Sequence, residues 1–471
     1  MVLSFCLASV HMLSGRFARP HYCSLLEGSS WYSRSAQAAV QQESSSPHDT
    51  PSVPIAVAQA FVAMHAAAEQ GLQLADMVWR SRSLPAGQAF DPCWECKTKR
   101  ARKWMQQAHS NPTQPTSGPP VAPVDARLNL SAILAGVGEY PQGGSKGRGI
   151  VLVGGGPKYA PAAFGCVAFV RRTGCTLPIE VWAPPHEPIP SAVAAYFTAL
   201  GNVTLRNLGD AFPLVARDNM REQRFLAKQL AMLASGFQEI LFLDADNLPL
   251  RDPSFLFQEP LYTSTGLLMW PDFWENEVKA GGWEALGIPP HMRPKGSHES
   301  GQVVLDKQRA WQPLLLAIYL NMQGGVFYPL LSVNGPGDKE TLPYAWLALR
   351  RGKYGRVPHG VEEVSPGWAK GNYGVAMLQK SPDGVPLFLH AHYPKLAVPR
   401  RRAKLPPAAP RNYKRFTGPA VPLPPGVNGS NLDLNSYEVL NAIAGVDVEV
   451  EVRQLRNYLR CQPAWVACCM R

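Results

Sequence analysis

The sequence predicts an α/β fold, a mostly parallel sheet flanked by helices, and three observations predict it. Short apolar runs alternate with stretches of helical spacing between about residues 146 and 245. Glycine and proline mark the joins, as they do in consecutive βα units. The run Glu239-Ile240-Leu241-Phe242-Leu243-Asp244-Ala245-Asp246-Asn247 then ends four consecutive apolar residues on a pair of carboxylates.

The elements follow in order. Gly149 to Val153 is a first apolar run, and Gly154-Gly155-Gly156-Pro157 leads from it into a helical stretch from about Ala160 to Arg172. Leu177 to Trp182 reads as a second strand, Ser191 to Leu200 as an Ala-rich helix and Val203 to Leu205 as a third strand. Phe225, Leu226, Leu230 and Leu233 recur at helical spacing within Asp218 to Ser235, so a helix leads directly into the strand that ends at Asp244. A βαβαβαβ series of this kind builds a parallel sheet covered by helices.

In open α/β sheets the ligand crevice lies outside the carboxyl ends of the strands, so Asp244 and Asp246 emerge where a ligand sits. Acids one residue apart at such a place can hold one divalent cation, and the cation can neutralise a diphosphate leaving group. Gly154 and Gly155 follow the first strand, where small residues let a nucleotide approach the backbone. A plain tight turn accounts for them equally well, because the glycine spacing of a dinucleotide fingerprint is missing.

A chain of 471 residues with 46% apolar content can bury a sizeable core, and its 45 prolines are unevenly spread. Residues 35 to 55 and 107 to 126 are rich in Ser, Pro, Gln and Thr, and residues 397 to 430 in Pro and Arg. The expected organisation is a low-complexity or targeting segment over 1–50, a helical and Pro-rich stem over 51–145, an enzyme-like domain over 146–396, a linker over 397–433 and an extension over 434–471. The formal net charge of +11 suits an anionic ligand, yet the basic runs Lys97 to Lys103 and Arg400 to Lys404 lie outside the expected core. They read as solvated surface, and no nucleic-acid motif accompanies them. Nine cysteines leave the redox compartment open; Cys93 and Cys96 read as a disulfide or unpaired thiols rather than half a zinc site, and Cys166 as core. Met1 to Gly15 is short for a membrane anchor, so membrane association through an N-terminal anchor is an expectation without a clear segment to carry it. Sequons at Asn129, Asn202 and Asn428 favour a luminal setting slightly.

An Asp-x-Asp at a strand end is weak evidence alone, and the blocks after it carry the rest. They are Asn247 to Pro253, Gly266-Leu267-Leu268-Met269-Trp270-Pro271-Asp272, Glu299-Ser300-Gly301-Gln302-Val303-Val304-Leu305, Gly337-Asp338-Lys339-Glu340-Thr341, and Pro386-Leu387-Phe388-Leu389-His390 with Lys395. In this order they resemble the fungal-type Golgi α-mannosyltransferases, a retaining family with the GT-A nucleotide-sugar transferase fold, over about Arg148 to Leu396.

The resemblance implies a nucleotide-sugar donor, usually GDP-mannose, a manganese or magnesium ion, a glycan acceptor on protein or lipid, and residence in the Golgi. It implies that Asp244 and Asp246 bind metal and nucleotide, that His390 is a further metal ligand, and that Lys395 meets the diphosphate. His392 competes with His390 for the ligand role. Lys228 is expected to reach the donor or the acids, with a solvated helix-face lysine as the plain alternative. Glu299, Ser300 and Gly301 resemble a turn beside the donor sugar, with Glu299 at a strand start facing the pocket. Asp338 is the candidate for positioning acceptor or sugar hydroxyls, with a helix N-cap as the alternative. Asp272 and Trp270 are expected to line the acceptor cleft.

Rival functions share parts of this pattern. A GT-A enzyme using UDP-glucose, UDP-galactose or UDP-xylose keeps the same metal residues, and a catalytically inactive glycan-binding scaffold keeps the fold. A phosphohydrolase of the haloacid dehalogenase type also puts Asp-x-Asp after a strand, but it wants Thr or Val where this chain has Leu248.

Overall fold

The computed structural model describes residues 130, 139–141, 145–212, 225–275, 278, 281–322, 324–331, 337–349, 352–365, 376–391, 415–417, 441, 443–445 and 447–461. The expected stem, apart from residues 130, 139–141 and 145, lies outside these residues, as do the Cys93 and Cys96 pair, His392 and Lys395.

Four strands behave as the sequence predicts. Arg148–Val153 (β1), Ile179–Ala183 (β2), Val203–Asn207 (β3) and Glu239–Asp244 (β4) are mutually parallel in the order β3-β2-β1-β4. The helices Gly156–Arg172 (α1), Ser191–Thr198 (α2) and Leu226–Ala234 (α3) fall among them. The sheet then changes direction. Asn247–Pro249 (β5) leaves it, and Leu267–Glu275 (β6) and Gly296–Asp306 (β7) return so that β7 runs antiparallel to both β4 and β6. Gly355–Arg356 (β8) closes the edge of this seven-stranded sheet.

β5 joins a second sheet instead. Glu362–Ser365 (β9), Ala376–Lys380 (β10), Pro386–Ala391 (β11) and Arg415–Thr417 (β12) form with it an antiparallel sheet in the order β12-β9-β10-β11-β5. Because β5 starts one residue after Asp246, the Asp-x-Asp turn is the hinge between the two sheets.

Both faces of the large sheet are covered, which is why its central strands are apolar throughout. Ile240 and Phe242 point into one core with α3, Lys307–Met322 (α4) and Thr341–Ala348 (α5), while Leu241 and Leu243 point into the other with α1. Alternation continues one step beyond Phe242, so Asp244 emerges on the α3 side.

The pairing of β6 with β7 is irregular. Between the pairs Leu268–Val304 and Trp270–Glu299, β6 advances two positions and β7 five. Extra residues in one strand make a bulge that re-aims side chains. Here the bulge turns Ser300 to the same side as Val303, where a strict period of two would separate them. Glu299 therefore lies within β7, three positions after Gly296 by chain order, and not at the strand start that the sequence predicts.

Candidate functional site

Strand pairing delivers three metal-type ligands to one point. Val153 of β1 pairs with Asp244 at the end of β4, and His390 of β11 pairs with Asn247 of β5. One ligand atom from each of Asp244, Asp246 and His390 lies within 4.8 Å of the others. His390 Nε2 is 3.1 Å from Asp246 Oδ1 and 4.0 Å from Asp244 Oδ2. His390 thus meets the acids, while His392 lies outside the described residues. Burial opposes the charged ring of His390, but Asp246 above all, with Glu299 and Asp244, outweighs burial and holds its pKa up at about 9.

On the α3 side Lys228 reaches across to the strand end. Its Nζ donates to Asp244 Oδ2 at 2.9 Å and to Ser300 Oγ at 3.4 Å, and lies 3.7 Å from Asp338 Oδ2. Burial works against its charge, yet Asp244 and Asp338 more than compensate and raise its pKa above the ordinary lysine value. It is thus no solvated surface lysine. Asp338 also accepts from Gln229 Nε2 at 3.1 Å and from Ser300 Oγ at 3.4 Å. Burial raises the pKa of Asp338, with Lys228 pulling the other way. The N-cap alternative for Asp338 does not hold: Glu340 occupies the cap position of α5, and the Asp338 carboxylate faces Lys228 and Gln229.

The Glu-Ser-Gly segment splits between two sides. Ser300 faces Lys228 and Asp338, while Glu299 Oε1 accepts the Gly301 N–H at 2.7 Å and lies 3.7 Å from His390 Nδ1. Asp272 pairs with Lys339 beside this group. Trp270, expected in the acceptor cleft, is fully buried and donates its Nε1–H to Lys380 O at 2.7 Å. Phe273, on the same strand, is exposed.

Gly154 and Gly155 lie next to the strand ends, and protein packing explains their size. A Cβ on Gly154 would meet Ala163 Cβ at 2.4 Å, and one on Gly155 would meet Glu187 O at 1.9 Å.

Residues 147–287 and 290–367 match the Mannosyl_trans3 family of mannosyltransferases. Over these residues, a little under half of the chain, the sequence is similar to that mannosyltransferase family. Its relatives include the α-1,2-mannosyltransferase MNN2 of Saccharomyces cerevisiae, 32% identical over 278 residues that make up 51% of this chain and 46% of that protein. The α-1,2-mannosyltransferase MNN24 of Candida albicans is 31% identical over 230 residues, 42% of this chain and 32% of that protein. The chain spans about half the length, or less, of these relatives. Among solved structures, the mannosyltransferase Ktr4p of S. cerevisiae aligns with 58% of this chain and 80% of its own at 13% identity and a TM-score of 0.28.

The domain has the GT-A arrangement, in which the Asp-x-Asp turn sits at the carboxyl end of a central parallel strand. Its donor set of two carboxylates and one imidazole suits manganese or magnesium better than a thiolate-seeking metal. The Asp244 side chain keeps 20% of its surface exposed, so the set is open on one side. Sequence reading missed Gln229 and Asn247. Neither carries a charge, and only the packing of α3 and β5 shows what they hold.

Proposed function

We propose that this domain transfers mannose from GDP-mannose to a glycan acceptor with retention, as a metal-dependent α-mannosyltransferase of the secretory pathway. The observation that carries this reading is the convergence of Asp244, Asp246 and His390 inside a domain similar to that mannosyltransferase family. A divalent cation held by these three supplies positive charge to the departing nucleoside diphosphate.

The chain's own residues do the remaining work. Lys228, charged and fixed between Asp244 and Asp338, adds a second positive group and keeps the two carboxylates apart in role: one toward the metal, one toward sugar hydroxyls. Asp338 accepts hydrogen bonds from a sugar or acceptor hydroxyl, its orientation set by Gln229. Ser300 and the backbone at Gly154 and Gly155 contact the donor, and Lys395 meets its diphosphate. Front-face substitution, in which the leaving diphosphate takes the acceptor proton, needs no dedicated nucleophile. The acceptor glycan is on protein or lipid, and the Golgi lumen is the proposed setting. Among the described residues no helix is long and apolar enough to cross a membrane.

The test is manganese-dependent release of GDP from GDP-mannose in the presence of mannoside acceptors, against a panel of UDP-sugars, with Asp246→Ala as control. GDP release that vanishes in the variant supports the proposal. Turnover of a UDP-sugar alone keeps the site and overturns the donor, and a folded protein that binds no sugar nucleotide makes the domain a glycan-binding scaffold.

A further inference from the structure

We infer that Glu299, Gly301 and Asn247 form a socket that orients the His390 imidazole for metal binding, and that Glu299 is a positioning residue acting through His390. The inference rests on the metal site proposed above. It assigns a different task to the Glu-Ser-Gly segment from the donor-sugar turn expected from sequence.

Four observations carry it. The His390 ring has one nitrogen toward each carboxylate group: Nε2 lies 3.1 Å from Asp246 Oδ1, and Nδ1 lies 3.7 Å from Glu299 Oε1. The Glu299 carboxylate is itself fixed, because its Oε1 accepts the Gly301 N–H at 2.7 Å. Gly301 makes the room for the ring: a Cβ there would sit 2.6 Å from His390 Cε1 and 2.7 Å from Nδ1. Asn247, completely buried and in register with His390 across β5 and β11, donates its Nδ2–H to Gly301 O at 2.9 Å and to Gln302 Oε1 at 2.6 Å. The strand that carries the histidine is thereby tied to the strand that carries its socket.

The chemistry gives the socket a purpose. A metal-ligating imidazole presents one nitrogen to the ion, and its other N–H is held by a carboxylate or carbonyl that fixes tautomer and ring plane. With Nε2 toward the acids, Nδ1 is the nitrogen to be held, and Glu299 is the carboxylate beside it. The β7 bulge makes this compatible with a second task for the same segment, since Ser300 turns to Lys228 and Asp338 instead.

Mn²⁺ binding to the metal-free full chain, titrated through the electron paramagnetic resonance signal of the free ion and without any sugar nucleotide, tests the socket. Glu299→Gln is expected to raise the Mn²⁺ Kd by roughly 10–100-fold, the usual cost of losing such an outer partner, with the melting temperature of the metal-free protein unchanged. Glu299→Asp is expected to recover part of that loss. In a His390→Ala background Glu299→Gln is expected to change the Kd no further, because its partner is gone. Gly301→Ala is a second variant, expected to weaken Mn²⁺ by displacing the ring. An unchanged Kd in Glu299→Gln with turnover lost at saturating Mn²⁺ overturns the inference and returns Glu299 to the sugar. Equal losses in both backgrounds overturn it too, since Glu299 then acts without His390. A wild-type protein that binds no Mn²⁺ overturns the metal site itself, whereas Mn²⁺ binding without turnover of GDP-mannose touches the donor assignment alone.

Discussion

Lys228 Nζ sits 2.9 Å from Asp244 Oδ2, joining the helix before the fourth parallel strand to the first acid of the Asp-x-Asp turn. The same ammonium is 3.7 Å from Asp338 Oδ2, so one cation serves two carboxylates from separate parts of the chain. Lys228→Met removes that charge and leaves both acids without it. The expected result is a loss of about 1.5–3 kcal/mol in unfolding free energy at neutral pH, the value of a charged hydrogen-bonded contact, read from urea denaturation. Turnover is expected to fall by about 100-fold or more, since a charge aimed at the leaving group is lost as well.

Asn247 is expected to matter for stability before it matters for chemistry. Its amide donates to Gly301 O and Gln302 Oε1 in a place with no water access. Asn247→Leu strands both acceptors, each at a cost of about 1–3 kcal/mol. Thermal unfolding of the metal-free protein checks this, and a variant as stable as wild type would show that the two sheets are held together by other contacts.

Glu340 gives the domain an identifiable acid limb. The Glu340 carboxylate accepts from His298 N at 3.0 Å and meets His298 Nδ1 at 2.7 Å, and Ser297 Oγ donates to it as well. Burial alone would raise its pKa, but the His298 ring and these hydrogen bonds outweigh burial and hold it below the ordinary glutamate value. The folded state therefore binds this proton less readily than the unfolded chain. The stabilisation is complete above the unfolded pKa of about 4.3 and disappears as pH falls through the lower folded value. Glu340→Gln is expected to lose less stability than wild type on acidification from about pH 5 to pH 3, measured as the shift in urea midpoint.

Two aromatic residues on β6 are expected to separate cleanly. Trp270 is fully buried, packs edge-on against Phe388 at a centroid distance of 5.6 Å and donates to Lys380 O. Trp270→Ala is expected to cost about 3–5 kcal/mol through the cavity it leaves. Phe273 is 43% exposed, and Phe273→Ala is expected to change stability by no more than about 0.5 kcal/mol. An acceptor KM that rises in Phe273→Ala at unchanged melting temperature would place the acceptor on this strand tip.

Much of the fold was written locally. The apolar runs of β1 to β4, the helical spacing before β4 and the acids after Leu243 determine a parallel sheet with Asp244 and Asp246 at its carboxyl edge, because buried strands and amphipathic helices are set by residue type at short range. The sequence also singled out His390 and Lys228, through motif order. Tertiary structure alone decided the rest. That His390 meets Asp246 depends on β5 leaving the first sheet to pair with β11, an event 144 residues apart along the chain. That Glu299 faces a histidine while Ser300 faces Lys228 depends on a bulge, which a period of two cannot announce. Burial of Trp270 and the pairing of Asp338 with Gln229 likewise arise from packing between distant elements, where the same residue types would serve equally well at a surface or a cap.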